Sequence, residues 1–186
     1  MSNPTLSKKK IIIVVLVIAI ITVLGVLAVI WFSAEPSRYP WLFKGAYAEY
    51  FGESSLGAIM CFKVLDFNGT HVQLNMYVFM WIQKSPIHVA NKTEWIKIEE
   101  IHKAPTLLMQ GNYTLTDTYQ EEIYLTGLGE RNCTVYEYKN HETIQCYIDK
   151  QTGWIIKMKT TLTLVGMDKF HININLEETN IPQLKK

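Results

Sequence analysis

The chain reads as one N-terminal transmembrane α-helix followed by a mainly-β extracytoplasmic domain, and three observations predict this. An uncharged apolar run fills residues 11–32. Lysines abut that run on one side only. Beyond it, apolar and polar residues alternate with period two, interrupted by short turn signals.

The run is 22 residues long and its polar content is Thr22 alone. As a helix it would span about 33 Å, against a hydrocarbon core of roughly 30 Å. A cleaved signal peptide has an apolar core of about 7–15 residues and small residues at its cleavage site. This run is longer and ends in Ile30, Trp31 and Phe32, which predicts a retained anchor whose partner is the lipid bilayer. Lys8, Lys9 and Lys10 precede the run, and the first basic residue after it is Arg38. Positive flanks stay in the cytoplasm, so residues 1–10 are expected to be a cytoplasmic basic tail with everything downstream outside the cell membrane. Trp31, Tyr39 and Trp41 suit an aromatic belt at the outer interface. Residues 33–43, with Pro36 and Pro40, read as a linker, leaving 44–186 as the β-rich domain.

Beyond residue 32 the three tail lysines drop out, so 15 of the 18 basic residues face 17 acidic ones, a net charge of −2. That balance offers no electrostatic ground for nucleic acid as a partner.

The strands follow in order. Residues 56–66 and 70–82 flank Asn68-Gly69, the strongest short hairpin dipeptide. In the second segment Val72, Leu74, Met76, Val78 and Met80 line one face, while Tyr77, Phe79 and Trp81 make the other apolar towards its end. Residues 93–103 fit a capped helix, with Trp95, Ile98 and Ile101 at three-residue spacing, and fit a strand equally well by their β-branched content. Residues 113–125 read as a strand. In the turn at residues 149–153, Asp149 is placed to accept from backbone amides and Gly153 suits positive φ. Trp154, Ile156, Met158, Leu162 and Leu164 then alternate with Lys157, Lys159, Thr161 and Thr163. After Gly166, Phe170, Ile172, Ile174 and Leu176 alternate with Lys169, His171, Asn173 and Asn175. Such alternation means one wet face and one dry face, and turns this short join antiparallel neighbours. The dry face needs a second sheet, the sheet's own curl, or a helix over it. The expected architecture is an antiparallel meander curled into a half-barrel or flattened barrel; a two-sheet β-sandwich is the alternative.

Two kinds of covalent chemistry are expected outside the cell. Asn68, Asn91, Asn112 and Asn132 each begin an Asn-x-Thr triplet, making them glycosylation candidates, and all lie beyond the membrane segment. A hairpin turning at Lys139-Asn140 pairs residues whose numbers sum to 279, which sets Cys133 opposite Cys146 and predicts a disulfide in an oxidising exterior. The same register sets Glu137 opposite Glu142, a like-charge pair. Cys61 is left over as a small buried hydrophobe.

Catalytic chemistry is not indicated. His71, His88, His102, His141 and His171 lack the two-, three- or four-residue spacings of a local metal chelate. Glu99-Glu100, Glu121-Glu122 and Glu177-Glu178 are adjacent pairs, which on a strand point to opposite faces and make poor acid/base dyads. No nucleophile elbow, phosphate loop or dinucleotide fingerprint occurs. No cofactor, metal or enzymatic activity is expected. The richer inventory is apolar: Tyr77, Phe79, Trp81, Trp95 and Trp154 are candidates for an apolar ligand surface, and otherwise form the core.

Residues 127–136, then Cys146-Tyr147-Ile148-Asp149-Lys150-Gln151-Thr152-Gly153-Trp154, then the closing residues 176–181, resemble uncharacterised archaeal membrane-anchored surface proteins with a late Tyr-x-Asp-x-x-Thr-Gly hairpin. The resemblance covers roughly the last third of the chain and implies an exported, helix-anchored β domain without a known activity. The hairpin is also similar to those of periplasmic lipoprotein-carrier half-barrels, which hold acyl chains. The expected function is therefore a non-catalytic binding or structural domain of the cell envelope. A carrier of a lipid or other apolar ligand is the first alternative and a surface filament subunit the second.

Overall fold

The structure, a computed structural model, describes residues 38–53, 57–82, 85–109, 111–163 and 169–185. The expected tail, the apolar run at residues 11–32 and the first part of the linker lie outside them. Among the described residues no helix is long and apolar enough to cross a membrane.

Among the described residues, nine strands form one antiparallel sheet. They are β1 (Tyr47–Glu53), β2 (Ala58–Phe67), β3 (His71–Ile82), β4 (Ser85–Lys97), β5 (Thr114–Leu125), β6 (Gly129–Lys139), β7 (Thr143–Asp149), β8 (Ile155–Thr163) and β9 (Lys169–Thr179). The spatial order is β4-β3-β2-β1-β9-β8-β7-β6-β5. Two meanders thus meet where β9 returns beside β1, and the result is a mainly-β half-barrel, not a two-sheet sandwich. β1 was not legible beforehand, because Tyr47, Tyr50 and Phe51 place aromatic rings on both of its faces and blur the alternation.

β4 and β5 are consecutive in the chain yet stand at opposite edges, so their connection must cross the sheet. It does so as a 3-10 segment (Ile98–Lys103) running into a short helix, α1 (Ala104–Leu108). The ambiguous stretch 93–103 therefore divides: strand to Lys97, then the 3-10 turn. Ile98, Ile101 and Ala104 are buried in the main core, and Leu107, Leu108 and Met109 pack against it. This strap is the cover that the dry face required. Beneath it, Tyr50, Phe62, Leu74, Met76, Met158, Ile172, Ile174 and Leu176 are all buried.

The turn chemistry follows expectation. Asp149 Oδ2 accepts from Thr152 N at 3.0 Å and from Thr152 Oγ1 at 2.8 Å, while Gly153 adopts φ +69°. At the β2–β3 turn, Asn68 Oδ1 accepts from the backbone N–H groups of Thr70 and His71 at 3.1 and 2.8 Å, so the asparagine side chain itself closes the turn.

Two expectations are corrected. Trp41 is completely buried and its ring lies 4.8 Å from that of Trp154. Tyr39 packs 5.6 Å from Trp41. These residues are not an interfacial belt, and the compact unit begins at Arg38 rather than at residue 44. Gly45 N donates to Val64 O, and Asn180 spans Gly45 O and Tyr47 N, so the chain is tied into the sheet before β1 begins.

The second correction concerns the disulfide. The β6–β7 hairpin pairs Cys133 with Asp149 and Tyr136 with Cys146, a sum of 282. Its loop is Asn140-His141-Glu142, closed by Asn140 N donating to Glu142 O at 2.9 Å. A three-step shift of an odd sum moves the two cysteines to opposite faces of the ribbon, and Cys61, Cys133 and Cys146 are all free and buried. The observed register also removes the Glu137–Glu142 clash: Glu137 now faces Gln145, accepts from its Nε2 at 2.8 Å, and pairs with Lys139 at 2.6 Å. Burial pushes the Cys133 thiol up to about 12 and the Cys146 thiol above its usual range, so neither supplies thiolate for exchange. Reductant should leave the melting temperature unchanged, and alkylation should modify three thiols on unfolding but none in the native protein. Two blocked thiols in the unreduced, unfolded chain would restore the disulfide.

Candidate functional site: the outer face of β1, β2 and β3

The five aromatic residues expected to form one surface do not come together. Trp154 belongs to the core. Trp95 is 47% exposed on edge strand β4, opposite Gln73, four positions along β3 from Tyr77. The side chain of Trp81 lies outside the described residues. Tyr77 and Phe79 remain a pair, edge-to-face with ring centroids 5.4 Å apart.

That pair belongs to a surface the sequence reading did not name. Phe51 of β1 stands opposite Ile59 of β2, and Ile59 stands opposite Phe79 of β3. Period two places all three on the outer face, together with Cys61 and Tyr77 and with the polar or charged Glu49, Lys63, Gln73 and Asn75. Phe51 is 43% exposed. The signal was present in the alternation of Tyr47, Glu49 and Phe51 along one face, but it became readable only once β1 was known to be a strand.

Beside the apolar row, β9 carries a bulge. Glu49 pairs with Glu178 and Tyr50 with Leu176, leaving Glu177 as the extra residue. The bulge cancels the alternation locally, so adjacent Glu177 and Glu178 are both exposed and line one cleft. This corrects the expectation that the pair points to opposite faces. The cleft, about 430 Å³, is bounded by Glu49, Tyr50, Phe51, Ile59, Glu177 and Glu178, and no basic side chain lines it. Glu178 Oε1 accepts from the Tyr47 hydroxyl at 2.7 Å, which raises the phenol's pKa. Cys61 shares this face, between Glu49 and Tyr77 in register, and burial raises its thiol pKa.

The remaining site residues are dispersed. Asn68, Asn91, Asn112 and Asn132 are all exposed. Asn91 sits on β4 and its Oδ1 accepts from Asn75 Nδ2 at 2.9 Å. His102 is a buried residue of the strap itself, while His141 and His171 are exposed at separate places. Among the described residues no group of three His, Cys, Asp or Glu side chains is placed to hold a metal ion.

No family model matches the chain, and no curated protein matches it. Among solved structures it is similar to the 2.0 Å resolution structure of the hypothetical protein CT021 from Chlamydia trachomatis, at 10% identity and a TM-score of 0.37, over 77% of this chain and 90% of that one.

Proposed function

We propose that the chain is a single-pass membrane protein, N-terminus in the cytoplasm, whose half-barrel acts outside as a non-catalytic binding domain of the cell envelope. The observation that carries this reading is the apolar row Phe51–Ile59–Phe79, continuous with Tyr77, on a face that also carries Glu49, Lys63, Gln73 and Asn75. Exposed apolar residues in a contiguous patch with a polar rim favour association with a macromolecule. The uncharged run behind Lys8–Lys10 supports the topology, and the exposure of all four acceptor asparagines supports contact with a glycosylating compartment. The resemblance to archaeal membrane-anchored surface proteins points the same way.

A lipid carrier is the less favoured reading, because the inner face is packed: Tyr50, Phe62, Leu74, Met76 and Ile101 are each at most 3% exposed. An apolar ligand would have to displace these side chains. Two measurements test the proposal. Protease added to intact cells should remove the C-terminal domain and spare the tail. Crosslinking on whole cells, followed by capture of the full chain, should enrich a reproducible envelope partner. Protection of the domain until cells are permeabilised would refute the topology, and lipid retained stoichiometrically in native mass spectra would favour the carrier.

A further inference from the structure

We propose that edge strand β4 pairs with β4 of a second copy of this chain, antiparallel and related by a two-fold axis through Thr93. This interface is independent of the envelope-binding reading.

Among the described residues β4 and β5 stand at the two ends of the sheet, and each pairs on one side only. They run 13 and 12 residues, about twice the usual strand length, and a long open edge is a template for another strand. The chain turns off β4 at Ile98, and Asn91, Thr93, Trp95 and Lys97 remain exposed.

Charge decides which edge takes a second copy. β5 carries Asp117, Glu121 and Glu122 and no basic residue, so two copies of it repel. β4 carries Lys92 and Glu94, which already form an ion pair at 3.1 Å with both side chains partly exposed. Its pairing with β3 is broken by an extra residue, Val89, and is regular from Ala90 to Lys97.

A sheet that continues across the two-fold axis keeps outer positions beside outer positions, so a residue lies on the axis. With Lys92 or Glu94 there, like charges meet. An axis at Asn91 carries the pairing into the bulge at Val89, and one at Trp95 carries it into the 3-10 turn at Ile98. With Thr93 on the axis, Lys92 stands opposite Glu94 of the copy, twice over. The two intrachain ion pairs then become four charges of alternating sign. Asn91 faces Trp95, which is 47% exposed in the single chain, and Ala90 faces Ile96. The outer faces of both copies join, so the two Phe51–Ile59–Phe79 rows stand on the same side of a doubled sheet.

The test follows the mass of the full chain in zwitterionic detergent by sedimentation, and the crosslinking of Thr93→Cys in reconstituted vesicles. A cysteine on the axis meets its own copy with Cα atoms about 4.5–5.5 Å apart, within disulfide range, so a copper oxidant should yield a covalent dimer. Asn91→Cys and Trp95→Cys, off the axis, should not crosslink to themselves. The native cysteines are buried, so the parent should stay uncrosslinked. Lys92→Glu and Glu94→Lys should each weaken association about tenfold by setting like charges opposite one another. The double exchange should restore it, which a misfolded chain could not do. A monomeric parent overturns the proposal, as does a dimer that ignores the single charge changes or crosslinks equally through Asn91→Cys. Open-ended assemblies overturn it in favour of β4 on β5 of the next copy. A monomeric native chain with a glycan on Asn91 overturns it in favour of the sugar as the cover of this edge.

Discussion

Replacing Trp41 with alanine is expected to destabilise the domain by about 3–5 kcal/mol, the cost of emptying a fully buried large aromatic site. Trp41 has no exposed surface and packs on Trp154. The Trp154 ring is held in turn by the β7–β8 turn, where Gly153 approaches Tyr39 so closely that an added Cβ would lie 3.1 Å from the Tyr39 ring. The three aromatic rings therefore close one end of the half-barrel as a unit. In urea melts of the full chain the midpoint should fall with the slope unchanged, and the thermal midpoint should drop by about 10 °C or more. Trp31, in the segment outside the described residues, serves as the control. If Trp41→Ala melts like the parent, the N-terminal segment is a linker after all and the domain begins further along.

The second large effect depends on pH. His102 belongs to the strap and is 8% exposed, its ring stacked on Tyr136 at 3.7 Å and an interplanar angle of 1°, with Nδ1 bonded to the Tyr138 hydroxyl. Burial is the main cause that lowers its pKa to about 4; Lys103 lowers it further and Glu100 opposes. In the unfolded chain an imidazole titrates near 6.5. Between these values the unfolded state binds more protons than the folded one, so stability is at its full value above about pH 6.5 and falls as pH drops towards 4. At about 1.4 kcal/mol per unit the loss reaches at most about 3 kcal/mol. Carboxylates with lowered pKa, Glu100 and Glu137 through their lysine partners and Asp66 through Lys44, lose their contributions only as pH falls below their ordinary values of 4.5 and 3.8. Among the described groups with a shifted pKa, His102 is therefore the one that acts between pH 6.5 and 4.5. His102→Gln, which keeps a polar group near Tyr138, should be less stable at pH 7 but nearly flat across that window. Because the strap is fastened through this ring, binding of a hydrophobic dye at pH 4.5 should rise in the parent before secondary structure is lost. A parent whose stability is constant from pH 7 to 4.5 would show that the imidazole is not held neutral.

Local patterns along the chain were sufficient for the character of the domain. Alternation at Ile172, Ile174 and Leu176 against His171 and Asn173 set a dry and a wet face, and the burial of β9 follows it. The turn from Asp149 to Gly153 was readable because its bonds join residues three or four apart. The exposure of Asn68 in its turn was readable for the same reason. What the chain alone did not reveal depends on partners distant in sequence. The pairing of β1 with β9 joins residues 120 or more positions apart, and β1 is a strand because of those neighbours. The β6–β7 hairpin closes a three-residue loop at 140–142 instead of a two-residue turn at 139–140, and that shift places the two cysteines on opposite faces, because a sheet has only two.

The sequence by itself determined an uncharged run with lysines on one side, a β-rich domain with period-two strands, and the acceptor asparagines of that domain. Tertiary structure decided the sheet order, the strap across the dry face, the burial of Trp41 and His102, and the meeting of Phe51, Ile59 and Phe79 with Glu49, Glu177 and Glu178. The physical reason is range. Backbone preference and alternation act over a few residues, whereas a surface patch is assembled by strands that pair across the whole chain, and one bulge in one of them turns two adjacent carboxylates to the same side.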